Sequence, residues 1–201
     1  MRRRLFALVY GPFDRLQRRP LARVRSTLVG DLSGEVLEIG CGPGSNFAHY
    51  PAGARVVATD DNPHMLPAAR RAAQAARAAF EVSEADATAL PFEDASFDAA
   101  VSALVLCSVP DLDRAAREVF RVLRPGGEFR LFEHVRSEHR LLAAAQRWLT
   151  PAWSAVADGC QLHRDPLAAL HRAGFVEVRV EASTGGGLLP LIVVRARRPA
   201  A

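Results

Sequence analysis

The apolar run Val36-Leu37-Glu38-Ile39 leads directly into Gly40-Cys41-Gly42-Pro43-Gly44. Glycines at a strand end let the backbone bend sharply and approach a ligand closely. Glu38 narrows the choice of ligand. A carboxylate is unfavourable beside a pyrophosphate and favourable beside positive charge. The dinucleotide pattern also asks for glycine at position 45, where this chain has Ser45. Asp60 closes the next apolar run, twenty residues after Gly40. Such folds place there an acid that accepts hydrogen bonds from both ribose hydroxyls. Asp61 and Asn62 follow it, and Asn62 also reads as a helix cap. Asp86, in Glu84-Ala85-Asp86-Ala87, stands where it would accept from a base amino group. A single loop acid is ordinarily a solvated side chain. Three of them, in order at successive strand ends, point to a nucleoside that carries positive charge.

The elements that must position these groups alternate. Residues 35–39, 55–59, 80–82, 97–106 and 128–135 read as strands, and 97–106 is apolar enough to be a central strand buried on both faces. Helices are expected over 15–28 with a break at Pro20, from Asn62-Pro63 to about residue 79, and over 111–123, 138–149 and 165–173. Segments 175–181 and 188–196 close the chain as a strand pair. Strand–helix alternation predicts an α/β, Rossmann-like fold. Its sheet has seven strands, is mostly parallel, carries helices on both faces and ends in an antiparallel C-terminal strand. Residues 1–34 are expected to form an N-terminal helical cap on a main domain at 35–201, the whole being one globular unit. Ligands of such sheets bind at the carboxyl ends of the strands.

Composition narrows the function classes. With 201 residues, 49% of them hydrophobic, one domain has core enough to fold. No window approaches the ~20 apolar residues of a transmembrane helix. The basic start resembles a signal peptide, but Gly11, Pro12 and Asp14 cut its apolar run and no small-residue cleavage site follows. Cys41, Cys107 and Cys160 form no CxxC pair, so neither a metal site nor a disulfide frame is expected. A cytoplasmic location fits. Every basic side chain behind the net charge of +4 is an arginine, and Arg2, Arg3, Arg4, Arg15, Arg18, Arg19, Arg23 and Arg25 crowd the N-terminus. Composition alone favours a solvated helix face, with peripheral contact to the inner membrane face as the sharper alternative. No aromatic platform accompanies these arginines, and Ser102-Ala103-Leu104-Val105 offers no polar hand to a flipped base, so nucleic acid is not an expected partner.

VLEIGCGPG at 36–44, TDDNPHML at 59–66, ADATALPFEDASFD at 85–98 and LRPGG at 123–127 resemble class I S-adenosylmethionine-dependent methyltransferases over nearly the whole chain. The resemblance implies S-adenosyl-L-methionine as cofactor. It implies that Gly40, Cys41, Gly42 and Gly44 shape its loop, with Asn46 beside it, and that Glu38 steers the methionine ammonium. Asp60, with Asp61 and Asn62, would hold the ribose, Asp86 and Ala87 the adenine, and Ala103 and Leu104 the methionine part. GSN at 44–46, LVLCSVPD at 104–111, FEHVRS at 132–137 and GCQLHRD at 159–165 are similar to a subgroup of small alkyl-thiol S-methyltransferases and bacterial phospholipid-methyltransferase-like proteins.

That subgroup implies a small or lipid acceptor, an alkyl thiol or lipid amine, methylated by in-line displacement. Quinone-ring C-methylation and a non-catalytic cofactor-binding regulator are the alternatives. A thiol or amine must lose a proton, so a base helps. His134, ending a strand on the ligand side, ranks first, and Tyr50, Cys107, His163 and Arg164 are expected to face the acceptor.

Overall fold

The computed structural model describes residues 2–184 and 187–200. Seven strands form one sheet: β1 (Gly34–Ile39), β2 (Ala54–Asp60), β3 (Ala79–Glu84), β4 (Phe97–Ala103), β5 (Leu123–His134), β6 (Val176–Ser183) and β7 (Leu191–Arg197). Their order is β3-β2-β1-β4-β5-β7-β6. The neighbouring pairs among β1 to β5 are parallel, and β7 runs antiparallel to both β5 and β6. The expected mostly parallel sheet with an antiparallel C-terminal strand is therefore present.

Period-two alternation sends successive side chains to opposite layers. In β1, Leu37 and Ile39 join a core with Phe129, Leu131, Val119 and Leu170, under α3 (Leu112–Val122) and α5 (Pro166–Ala173). Val36 joins the opposite core with Val56, Val101, Phe47 and Phe132, under α1 (Arg2–Val29) and α2 (Leu66–Gln74). Glu38 shares its parity with Val36, so its carboxyl lies on the α1 side. By the same rule Phe132 and His134 of β5 share that side. α4 (Arg140–Val156) completes the helices.

Several boundaries differ from the sequence expectation. The break at Pro20 is absent, and α1 runs through both Pro12 and Pro20. Each proline removes the bond to the carbonyl four residues back. Those carbonyls belong to Leu8 and Leu16, both exposed, where water can satisfy them. The glycine turn after β1 leads into a 3₁₀ turn, Phe47–His49. Asn62 does not start α2 directly. It closes a turn by accepting from the Met65 N–H (2.9 Å) on its carbonyl and from the His64 N–H (3.1 Å) on its side chain, and α2 begins at Leu66. β4 stops at Ala103, short of the expected 106, because Leu104 turns to φ +63°.

Candidate active site

The chain leaves β1 toward β2 and β3 on one side and returns to β4 on the other, so β1 and β4 flank the point where strand order reverses. Open α/β sheets bind ligands in the crevice at that point. A narrow cleft lies there, lined by Glu38, Gly40, Cys41, Gly42, Asn46, Ala103 and Leu104 together with Tyr10, Arg25, Pro43, Ser45 and Phe132. Gly40 has φ +58°, and a Cβ on it would fall on the Val105 side chain. Only glycine serves there without strain, and it lets the loop after β4 close against the loop after β1.

Glu38 is fully buried, and burial raises its carboxyl to about 7. Oε1 accepts from the Asn46 amide at 2.9 Å. Oε2 has no partner, nor does the buried Asn46 Oδ1. The Tyr50 hydroxyl lies beside Glu38 within electrostatic reach but outside hydrogen-bonding geometry. Two buried, open acceptors in one cleft fit a ligand that brings a cationic donor, as the ammonium of S-adenosylmethionine does. Asp60 ends β2 and accepts from the Gly42 N–H and the Asn62 N–H, both at 2.8 Å. It thereby fixes the glycine loop, while burial lifts its own carboxyl to about 6. Asp86 accepts from the Thr88 N–H (2.7 Å) and hydroxyl (2.8 Å), a local turn that leaves Oδ2 of this exposed residue open to solvent and ligand.

α1, expected as a helical cap, forms a wall of the cleft through Tyr10 and Arg25. Arg25 and Asp14, both buried, pair at 2.9 Å, and Arg25 also donates to the Ser45 carbonyl at 3.1 Å. The Ser45 hydroxyl donates to Asp14. Nearer the N-terminus, Arg3 pairs with Asp61 at 2.6 Å and its carbonyl accepts from the Asn62 amide at 3.2 Å. These contacts lay Tyr10 into the cleft, where burial and then the charge of Asp14 push its phenol up to about 12. Arg25→Met would remove the guanidinium from this buried pair with Asp14. Breaking a buried pair by removing one partner costs about 3–5 kcal/mol. We expect a matching loss in urea unfolding at neutral pH, and a loss below 1 kcal/mol, the scale of a surface pair, would show that the pair contributes little.

Glu133 is a second residue that the pattern did not single out. It is fully buried and accepts from the Ser102 hydroxyl (2.6 Å) and from the N–H groups of Val105 (2.9 Å), Leu106 (3.0 Å) and Cys107 (3.3 Å). The carboxylate pins the loop after β4, including the strained Leu104 that lines the cleft. Burial raises its carboxyl despite these donors.

Of the residues expected to face the acceptor, His134 lies at the β5 end on the cleft side. It is half-buried, and burial holds its imidazole below the usual value. All five, His134 included, lie off the cleft lining. Tyr50 is buried behind Glu38 against Phe80. Cys107 is buried against Cys160 and Leu162. His163 meets the Thr150 hydroxyl at 3.1 Å, and Arg164 donates to the Val109 carbonyl at 2.7 Å. Each has found a local partner that sequence spacing does not show. No group of three metal-ligating side chains occurs among the described residues.

Residues 37–131 match the family described as a methyltransferase domain. The chain is 41% identical over 150 residues to the thiol S-methyltransferase TMT1A of Homo sapiens, which covers 73% of this chain and 62% of that one. It is 44% identical over 81 residues to the demethylmenaquinone methyltransferase of Thermus thermophilus, covering 40% of this chain and 37% of that one. A SAM-dependent methyltransferase from Thermotoga maritima superposes with a TM-score of 0.71 at 22% identity, covering 98% of this chain and 100% of that one, a likeness of fold. The chain carries a class I S-adenosylmethionine-dependent methyltransferase domain. Within that class it is similar to the thiol S-methyltransferases, and it spans less than two thirds of the length of the TMT1A relative.

Proposed function

We propose that the chain transfers the methyl group of S-adenosylmethionine to the sulfur of a small, apolar thiol. The observation that carries this reading is the 41% identity to a thiol S-methyltransferase over a stretch of 150 residues. Bound in the cleft, the cofactor supplies an electrophilic methyl group on a sulfonium. The chain's own residues bind, orient and deprotonate. Glu38 and Asn46 would take the ammonium, Asp60 and Asp86 the ribose and adenine, and the Leu104 loop held by Glu133 would line the methionine end. Alignment of this kind supplies much of the rate of a displacement. His134, kept neutral by burial, takes the thiol proton as sulfur attacks.

A labelled-methyl assay with an alkyl thiol, a demethylated quinol and a lipid extract in parallel tests the acceptor. Label in a thioether is the expected result. Label on the quinol ring would favour the C-methylation suggested by the shorter quinone-enzyme match, and label in the lipid amine fraction would move the acceptor to phospholipid.

Apolar thiols concentrate in membranes, and α1 suits a lipid surface. Leu5, Leu8, Val9 and Leu16 recur at helical spacing with 63–77% of their area exposed, and Arg4, Arg19 and Arg23 on the same helix are exposed. No helix among the described residues is long and apolar enough to cross a membrane. The reading is therefore peripheral contact with an anionic leaflet. Burying one leucine contributes about 1.5–3 kcal/mol. Leu8→Asp with Leu16→Asp should thus lower partition onto anionic vesicles by well over tenfold while leaving cofactor affinity intact. Equal binding by the variant in a sedimentation assay would remove α1 as the contact.

A further inference from the structure

The loop after β4 ends in a thiol that the methyl-transfer reading does not use. Cys107 Sγ lies 3.4 Å from Cys160 Sγ, with the two residues 2% and 6% exposed. Leu149, Trp153 and Leu162 pack around the pair. Cys160 belongs to the connection between α4 and α5, which is held to the loop after β4 by the Gln161 N–H on the Cys107 carbonyl (2.8 Å) and by Arg164 on the Val109 carbonyl (2.7 Å). Two sulfurs in contact, on two segments already docked, can bond with little rearrangement of the chain. A disulfide closes at about 2.05 Å, so each loop must still give by a good part of an ångström.

The same loop borders the cleft. The Cys107 N–H and the two N–H groups before it all donate to Glu133, and Leu104, at the start of the same loop, lines the cleft. We propose that Cys107 and Cys160 form a peroxide-responsive dithiol, whose closure to an intramolecular disulfide shifts the loop after β4 and weakens cofactor binding. The inference holds whichever acceptor is methylated.

The two thiols have unequal characters. The Cys107 S–H, together with the Trp153 indole and the charge of Arg164, lowers the Cys160 thiol against its burial, while Cys107 is pushed up. Cys160 is therefore the attacking sulfur. Its Sγ bonds to one oxygen of hydrogen peroxide, the O–O bond breaks, and the departing oxygen leaves as water with the thiol proton. The resulting sulfenic acid is attacked by Cys107 Sγ. The S–O bond breaks and a second water leaves. The two sulfurs lose two electrons and the peroxide gains them.

The test is made on the full chain without any thiol acceptor. After peroxide, the protein is denatured and alkylated, and S-adenosylhomocysteine is titrated calorimetrically into the native reduced and oxidised forms. The expected result leaves only Cys41 open to alkylation and weakens affinity about tenfold, about 1.4 kcal/mol, with full recovery after dithiothreitol. Cys160→Ser should keep the affinity of the reduced protein in both conditions. If that variant does not fold, the dithiothreitol reversal in the unsubstituted chain still decides. Free thiols at all three cysteines, oxidation of Cys160 without a link to Cys107, or a disulfide that leaves affinity unchanged would each overturn the proposal.

Discussion

His134→Ala should lower kcat for an alkyl thiol by about a hundredfold near neutral pH, with KM little changed, because a positioned base typically contributes about 10²–10⁴. The histidine is placed by β5, whose parity puts it on the face of Phe132, a residue that lines the cleft. Burial lowers its pKa from the usual 6.5, so the imidazole is already neutral where a base is needed. The sign of the pH effect follows. Activity of the unsubstituted chain should fall only as pH drops below about 6.5, as the ring takes a proton. The variant should lack that limb, and its deficit should shrink as pH rises toward about 8.5, where a cysteine-like thiol ionises unaided. His134→Gln, which keeps a polar group without the base, should resemble the alanine variant. A change confined to KM would make His134 a binding residue instead.

Glu38→Gln should weaken S-adenosylmethionine binding by roughly a hundredfold, since removing one charge from a buried pair costs about 3 kcal/mol or more. The same substitution should change the free protein in the opposite sense. Burial raises the Glu38 carboxyl to about 7 in the fold, against about 4.3 in an unfolded chain. Between those values the folded state holds the extra proton, so stability declines as pH climbs through that window. The glutamine variant lacks this slope and should match or exceed the unsubstituted chain in melting temperature above about pH 7 without cofactor. A carboxyl that destabilises the empty fold and strengthens the complex is retained for its ligand.

Why Glu38, Asp60 and the glycines were legible, while the pairings that seat α1 on the cleft were not, has a physical basis. The former lie within a few residues of a strand end, and strand parity plus the strand-end rule fixes where they face. The cleft also depends on pairings between residues far apart in the chain, and spacing carries no sign of these. Asp14 and Arg25 bury each other eleven residues apart along α1. Arg25 then reaches Ser45, and Glu133 reaches back to Ser102 and Val105. Pro20 misled the helix boundary because proline's cost depends on whether the freed carbonyl meets water, which only exposure reveals. Cys107, His163 and Arg164 sit on the expected side of the sheet in sequence order, yet they are engaged by Cys160, Thr150 of α4 and the Val109 carbonyl and are not part of the cleft lining. A signal did exist for α1. Buried-type side chains at Leu21, Val24 and Leu28 share a helix with outward leucines, a pattern with two apolar faces rather than one.

The most direct test is calorimetric titration of the free protein with S-adenosylmethionine at about pH 6.5, in two buffers of different ionisation heat. If the ammonium of the cofactor seats on Glu38, the carboxyl must ionise on binding, and more than half a proton per site should be released at this pH, because it titrates at about 7 beforehand. Glu38→Gln should release no more than the minor fraction that Asp60, raised to about 6, can give. Binding without proton release in the unsubstituted chain would contradict the placement of the cofactor in this cleft, and absence of binding would contradict the account as a whole.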